Sequence, residues 1–395
     1  MSRTRVVRII TRLNIGGPSI QAISLSRELE PAGFDTHLIH GRLGADEGDM
    51  TTLMPIGRTS ARHLETLVRP ISPLRDAVAL WQLFRELRRW QPDIVHTHMA
   101  KAGALGRMAA VIYNWTAGSE RRARLVHTYH GHVFEGYFGS PSTRLFLVVE
   151  RWLGRRTDAL IAISPQVRHD VLATYGIGTN ANVRLVPLGF DLKRLASIGQ
   201  SDRERARAAL GISATAFVIT TVGRLTAIKQ HSLFLEAAAR VSERLPHALF
   251  LIVGDGELRA DLEARTAAAK LGGAVRFLGW RGDLETIYAS TDVFMLTSRN
   301  EGTPVALIEA MAAALASVST DVGGVRDVIA ESDTGTLVPF GDPDALRDAV
   351  LRFAESAELR RQVGVKARTS VLERYDLRRL VRDVGALYRE LLETA

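Results

Sequence analysis

Short apolar runs recur along the whole chain, separated by longer stretches in which apolar residues return every three or four positions. In the first half the runs are Arg5–Ile10, Thr36–His40, Asp93–His96, Leu125–Thr128, Ala159–Ile163 and Val183–Val186. In the second half they are Phe217–Val222, Ala248–Val253, Val275–Leu278, Val293–Leu296, Ser317–Ser319 and Thr336–Val338. Helical spacing fills the intervals, for example at Ser19–Glu30, Leu74–Trp90 and Ser232–Leu245. Continuously apolar strands that alternate with helices predict parallel sheets covered on both faces. Two such sets predict an α/β chain of two doubly wound, Rossmann-like domains. The boundary is expected between Gly189 and Asp202, where the strand pattern lapses, giving domains at 1–195 and 196–375. A last helix within 376–395 (Leu377–Leu392) is expected to follow, with packing back on the first domain as one placement. For helix 74–90, the apolar face of Leu74, Val78, Leu80, Trp81, Phe84 and Leu87 is read as domain core in preference to a membrane contact.

Ligands of such sheets bind beyond the carboxyl ends of the strands, so the polar residues just after each run carry the functional reading. In "VGRLTAIKQ", Gly223 permits a turn, and Arg224 and Lys229 emerge before a helix. Arg holds two oxygens and Lys supplies a point charge, which suits a diphosphate; a solvated basic loop is the alternative. In "VGDGE", Gly254 lets backbone approach a ligand or simply makes a tight turn. Gly279-Trp280 ends another strand and would offer backbone hydrogen bonds to a nucleobase edge. In "SRNEGTPVALIEAM", Glu301 stands before the turn Gly302-Thr303-Pro304, and Glu309 interrupts the apolar run opened by Val305. Carboxylates there would accept hydrogen bonds from sugar and ribose hydroxyls, with N–H groups of Thr303 and Val305 nearby. A bland reading pairs Glu309 with an arginine such as Arg326. In the first half, Gly16-Gly17 lies between a strand and a helix that Pro18 can start.

Five histidines cluster: His96 and His98, then His127, His130 and His132. No carboxylate completes a recognisable metal pattern beside them, so no metal is expected. His130 suits sugar or acceptor contact at a strand end; His98, His132 and Lys101 are candidates for acceptor binding.

Composition narrows the classes. The 395 residues contain no cysteine, which excludes disulfides and thiolate chemistry. No run of about 18 apolar residues offers a membrane span, and no secretory signal is visible, so the cytoplasm is the expected compartment. The net charge of +8 is uneven: residues 1–195 hold 26 basic and 16 acidic residues, whereas 196–395 hold 25 and 27. The basic first half suits an anionic membrane or a phosphorylated acceptor, or reflects an arginine habit, since only five of 51 basic residues are lysine. No interleaving of aromatic and basic residues points to nucleic acid.

The order and spacing of Gly16-Gly17, "HTHMAKAGALGR", "HTYHGHVFEGYFG", "AISPQVRHD", "VPLGFD", "VGRLTAIKQ", "VGDGE" and the pair Glu301/Glu309 resemble the retaining glycosyltransferases of family 4 over nearly the whole chain. The resemblance implies the GT-B fold, two Rossmann-like domains facing across a cleft. It implies a nucleotide-sugar donor, by family habit a UDP-sugar, and no metal or other cofactor. Arg224 and Lys229 would hold the diphosphate, Glu309 the ribose and Glu301 the sugar. Gly16-Gly17 would approach the diphosphate, and His130 would stand near the reaction centre. The histidine-rich segment is most similar to bacterial capsule, exopolysaccharide and O-antigen transferases, which implies a glycan or lipid-linked acceptor. The rival readings are an enzyme like the UDP-N-acetylglucosamine epimerases, which needs no acceptor, and a non-enzymatic basic surface-binding protein.

Overall fold

The computed structural model describes residues 3–45, 47–57, 59–118, 122–131 and 140–393. The chain forms two compact units, one of Met1–Phe190 with Leu377–Ala395 and one of Asp191–Asp376.

The first unit holds the strands β1 (Thr4–Ile10), β2 (Phe34–Gly41), β3 (Ser60–Leu64), β4 (Ile94–His98), β5 (Arg124–Tyr129), β6 (Ala159–Ala162) and β7 (Val183–Leu185). They pair in parallel in the order β3-β2-β1-β4-β5-β6-β7. The pattern of apolar runs does not show β3. It is an edge strand whose first four residues are exposed, so nothing in "SARHL" alternates or clusters. One sheet face packs Leu83, Leu87, Ala109 and Tyr113 against Val7, Ile9 and Val95. The other packs Leu25, Leu29 and the last helix, Leu377–Glu393, against Val6, Ile94 and Val126.

The helix Pro73–Trp90 corrects one expectation. It does use Leu83 and Leu87 inward, along with Ala79, and half-buries Leu80 and Phe84. Leu74, Val78 and Trp81 instead face solvent, with 84%, 44% and 55% of their surface exposed. Apolar residues lie nearly all round this helix, and the layer beneath it needs only one stripe.

The second unit holds β8 (Phe217–Val222), β9 (Ala248–Val253), β10 (Val275–Gly279), β11 (Val293–Leu296), β12 (Ala316–Thr320) and β13 (Thr336–Val338). Their order is β10-β9-β8-β11-β12-β13, again parallel. Each sheet thus reverses direction once, between β1 and β4 in the first unit and between β8 and β11 in the second. In open sheets of this kind the point where strand order reverses is the usual ligand position.

Candidate functional site

In the second unit, Arg224 and Lys229 follow β8, and Glu301 follows β11, so they flank the reversal of strand order. The chain after β8 makes a single 3₁₀ turn, Ala227–Lys229, before the left-handed Gln230 (φ 50°) and the helix His231–Arg244. Arg299 N–H donates to the Ile228 carbonyl at 2.8 Å, and Thr297 Oγ1 to that of Gln230 at 3.0 Å. These bonds hold the two loops together and bring Lys229 Nζ within 2.6 Å of Glu301 Oε1. Ser298 Oγ donates to the same oxygen at 2.6 Å. Glu301 is only 8% exposed, and its Oε2 has no partner among the described residues. Lys229 has three N–H donors and gives one to Glu301. Arg224 is exposed and unpaired among the described residues. The arrangement offers two cations and a carboxylate oxygen where the strand order reverses.

Glycines shape this ground by letting neighbouring loops touch. Gly254 adopts φ +129°, and a Cβ there would lie 2.0 Å from the Gly223 carbonyl oxygen. Gly254 N–H reaches the Gly279 carbonyl at 2.8 Å, and Gly223 N–H that of Val253 at 2.9 Å. The turns after β8, β9 and β10 are therefore pinned side by side. The close approach at Gly254 is to the neighbouring loop. Trp280, next in line, is 53% exposed.

The pair Gly323-Gly324 follows β12, and a double glycine after a strand is a readable signal that the charged motifs do not include. Gly324 N–H donates to the Glu301 carbonyl at 2.8 Å. A Cβ on Gly324 would stand 1.8 Å from the Gly302 carbonyl oxygen. Gly324→Ala is therefore expected to push the Glu301–Gly302 loop out of place and to destabilise the protein by about 1–3 kcal/mol. A thermal melt read together with nucleotide binding checks this, with both falling.

Glu309 lies in the helix Val305–Ala312, which follows Gly302, Thr303 and Pro304. Its Oε2 accepts a hydrogen bond from Tyr288 Oη at 2.9 Å. Arg326 pairs with Asp321 instead, so the arginine pairing suggested for Glu309 does not form. No cation faces this carboxylate among the described residues, and burial pushes its pKa up to about 7, with the Tyr288 bond opposing and Glu285 adding to the rise.

In the first unit, Gly16 precedes the helix Gly17–Glu28, and Pro18 occupies its first turn. His98 closes β4 and His130 follows β5, with His98 Nδ1 2.9 Å from His130 Nε2. His132 lies outside the described residues. Lys101 is turned inward, 2.5 Å from Asp76 Oδ1 and bonded to the Pro70 carbonyl, so its charge is already matched. His96 and His127 are buried and bond to Tyr388, Thr128 and Thr97. Among the described residues no group of three or more His, Asp or Glu side chains is placed to hold a metal ion.

Comparison with known proteins gives this arrangement a class. Residues 15–194 match the model of glycosyltransferase family 4, and residues 202–370 that of the glycosyl transferases group 1. The chain is 30% identical over 383 residues to the Escherichia coli UDP-Gal:alpha-D-GlcNAc-diphosphoundecaprenol alpha-1,3-galactosyltransferase, covering 94% of each. It is 27% identical to the putative glycosyltransferase EpsD of Bacillus subtilis, covering 79% of this chain and 80% of that one. Among solved structures, Anabaena HepE in complex with UDP superposes with a TM-score of 0.83 at 20% identity, covering 98% of this chain and all of that one. A glycosyltransferase from Rickettsia africae gives 0.83 at 18% identity over the whole of both chains.

The protein is thus a glycosyltransferase of GT-B fold. It belongs to glycosyltransferase family 4, with a group 1 second domain.

Proposed function

We propose that the enzyme transfers a hexose from a UDP-sugar to a lipid-linked glycan acceptor in cell-surface polysaccharide assembly, with retention of anomeric configuration and without a metal. The observation that carries the reading is the pairing of Lys229 with Glu301 beside unpaired Arg224 where the second sheet reverses. The second unit would bind the donor, and the first the acceptor. Arg224 and Lys229 would neutralise the diphosphate, Glu309 would accept from the ribose hydroxyls, and Glu301 Oε2 from a sugar hydroxyl. Gly254, Trp280 and the Gly302–Val305 turn would line the nucleotide. The bond from sugar C1 to the diphosphate oxygen breaks, and the acceptor hydroxyl oxygen forms the new bond on the same face. The hydroxyl proton passes to the departing diphosphate. No side chain is assigned as a covalent nucleophile; positioning and electrostatic stabilisation of the leaving group carry the rate.

UDP-galactose and N-acetylglucosaminyl diphosphoundecaprenol are the first substrates to test, because the Escherichia coli relative is named for them. Product formation in the presence of EDTA, with an α-anomeric signal in the NMR spectrum, is the expected result. Loss of activity with EDTA or a β-linked product would contradict the mechanism. Turnover of UDP-N-acetylglucosamine without acceptor would favour the epimerase reading.

The solvent face of the first unit supports a peripheral membrane position. Helix Ala100–Thr116 packs beside both Pro73–Trp90 and Ser140–Gly154. The outer two expose Leu74, Val78 and Trp81, and Leu145, Val148 and Trp152, at helical spacing. Arg85 covers Trp81 and Arg156 covers Trp152, at 4.7 and 4.1 Å from the ring centroids. Apolar stripes edged with arginine suit the headgroup region of an anionic bilayer. No helix among the described residues is long and apolar enough to cross a membrane. Trp81→Glu combined with Trp152→Glu is expected to lower co-sedimentation with phosphatidylglycerol vesicles at least tenfold, while leaving UDP binding intact. Unchanged sedimentation would rule this face out.

A further inference from the structure

The histidines at the ends of β4 and β5 do more than nucleotide recognition requires. Their hydrogen bonds can be traced from a fixed end. Arg8, fully buried in β1, can only donate. It gives one N–H to Ser26 Oγ at 2.7 Å and another to Tyr388 Oη at 3.2 Å. Tyr388 Oη in turn donates its hydrogen bond to His96 Nδ1, 2.6 Å away. His96 must carry its N–H on Nε2, where it meets Thr128 Oγ1 at 2.8 Å. The His96 ring lies 4.3 Å from that of His98, and so forms one wall of the His98 site.

His98 bonds onward to His130, and a count of protons leaves one over. Burial keeps both rings neutral: His130 is lowered to about 3, and His98 well below its ordinary value, with help from His96 and His130. Two neutral imidazoles carry two N–H groups, and the bond between them uses one. The other must sit on His98 Nε2 or His130 Nδ1, and both are buried without a partner among the described residues. A stranded N–H is costlier than a stranded lone pair. His98 is wholly enclosed, whereas His130, just past the strand end, is half-buried and is the one of the two with any exposed surface, although its Nδ1 is itself covered. The turn after His98 is also under strain. Met99 holds φ 64°, ψ 160°, a region left mostly to glycine, at a cost of order 1–3 kcal/mol. Such strain gathers where function over-determines the backbone.

We propose that His98 is a positioning residue: its Nδ1–H donates to His130 Nε2, which holds His130 in the Nδ1–H tautomer and reserves that N–H for an oxygen of the sugar being transferred. The inference rests on the glycosyltransfer reading above. It adds a tautomer and a residue that sets it.

Two measurements on the full chain test it. Multiple-bond ¹H–¹⁵N spectra of the histidine-labelled protein at pH 7 are expected to show His98 and His130 both protonated at Nδ1. A His130 protonated at Nε2 overturns the proposal. Turnover of UDP-galactose with N-acetylglucosaminyl diphosphoundecaprenol is then compared between His98→Phe, which keeps the ring but not the donor, and His98→Asn, whose amide reaches the Nδ1 position. His98→Phe is expected to lower kcat about 10- to 100-fold with UDP affinity within twofold of wild type, and His98→Asn to recover most of that loss. Wild-type kcat in His98→Phe, or no recovery in His98→Asn, overturns it. If the wild type itself is inactive on these substrates, the functional reading fails, and the tautomer spectrum still decides this inference.

Discussion

Lys229→Ala is expected to lower kcat about 10²–10³-fold, the loss typical of removing one preorganised group from the site where negative charge develops. In the proposed reaction the departing nucleotide would gain charge on its diphosphate, and among the described residues Lys229 gives only one of its three N–H donors, to Glu301. The same substitution leaves Glu301, only 8% exposed, with Ser298 as its remaining side-chain donor among the described residues. A stranded acidic group of this kind costs about 1–3 kcal/mol, so the melting temperature should fall together with the rate. Lys229→Arg separates the two effects. A guanidinium can still pair with Glu301, but its fixed planar fork does not replace a compact ammonium, so stability should return while much of the rate loss persists. If Lys229→Ala turns over within tenfold of wild type, the lysine is a structural tie and the diphosphate is held elsewhere.

Glu309→Gln is expected to move stability and binding in opposite directions. In the unfolded chain this carboxyl ionises near its ordinary value of about 4.3, whereas in the folded protein burial raises it to about 7. Between those values the unfolded state releases a proton that the native state keeps. Stability contributed by the neutral carboxyl is therefore present below about pH 4 and lost as the pH rises through 7. The glutamine variant avoids that loss. At pH 8 it should be more stable than wild type by on the order of 2 kcal/mol, raising the melting temperature about 4–8 °C, and at pH 4 the two should coincide. Binding behaves otherwise, because ribose hydroxyls bond a carboxylate more strongly than an amide. UDP affinity should drop about 10- to 100-fold at pH 8. In wild type it should rise from pH 6 to 8 beyond any trend of the nucleotide itself, which the variant reports. Melting curves and UDP titrations across that range check both signs. A variant that binds UDP as wild type does would remove Glu309 from the ribose site.

The charges at this site are legible in the sequence because they stand where apolar patterning breaks off. Arg224, Lys229, Glu301 and Glu309 each interrupt or follow an apolar run, which marks them for a ligand reading beside the plainer one of a solvated loop or an ion pair. What joins them is less legible. Ser298 reads as an ordinary residue, and its bond to Glu301 exists only because the loop after β11 folds back on itself. Tyr288 lies 21 positions from Glu309, and nothing in that spacing marks the pair. Gly254 reads equally as an opening for a ligand or as a tight turn, and its missing side chain makes room for Gly223. Strand order decides which loops are neighbours, and strand order is a tertiary property. Helix Pro73–Trp90 fails differently, since two apolar stripes on one helix cannot both be core, and periodicity alone does not choose between them.

The most direct test of the donor assignment is a thermal-shift titration with UDP, GDP and ADP on the wild type and on Arg224→Ala. Arg224 has no partner among the described residues, so its removal should leave the apo protein as stable as before. A ligand at about 100 times its dissociation constant adds about 2.7 kcal/mol of stability. The expected result is a raised melting temperature with UDP alone, lost in Arg224→Ala. A wild type that responds to none of the three nucleotides, or a UDP shift that survives in Arg224→Ala, would contradict the placement of a UDP-sugar at the loop after β8.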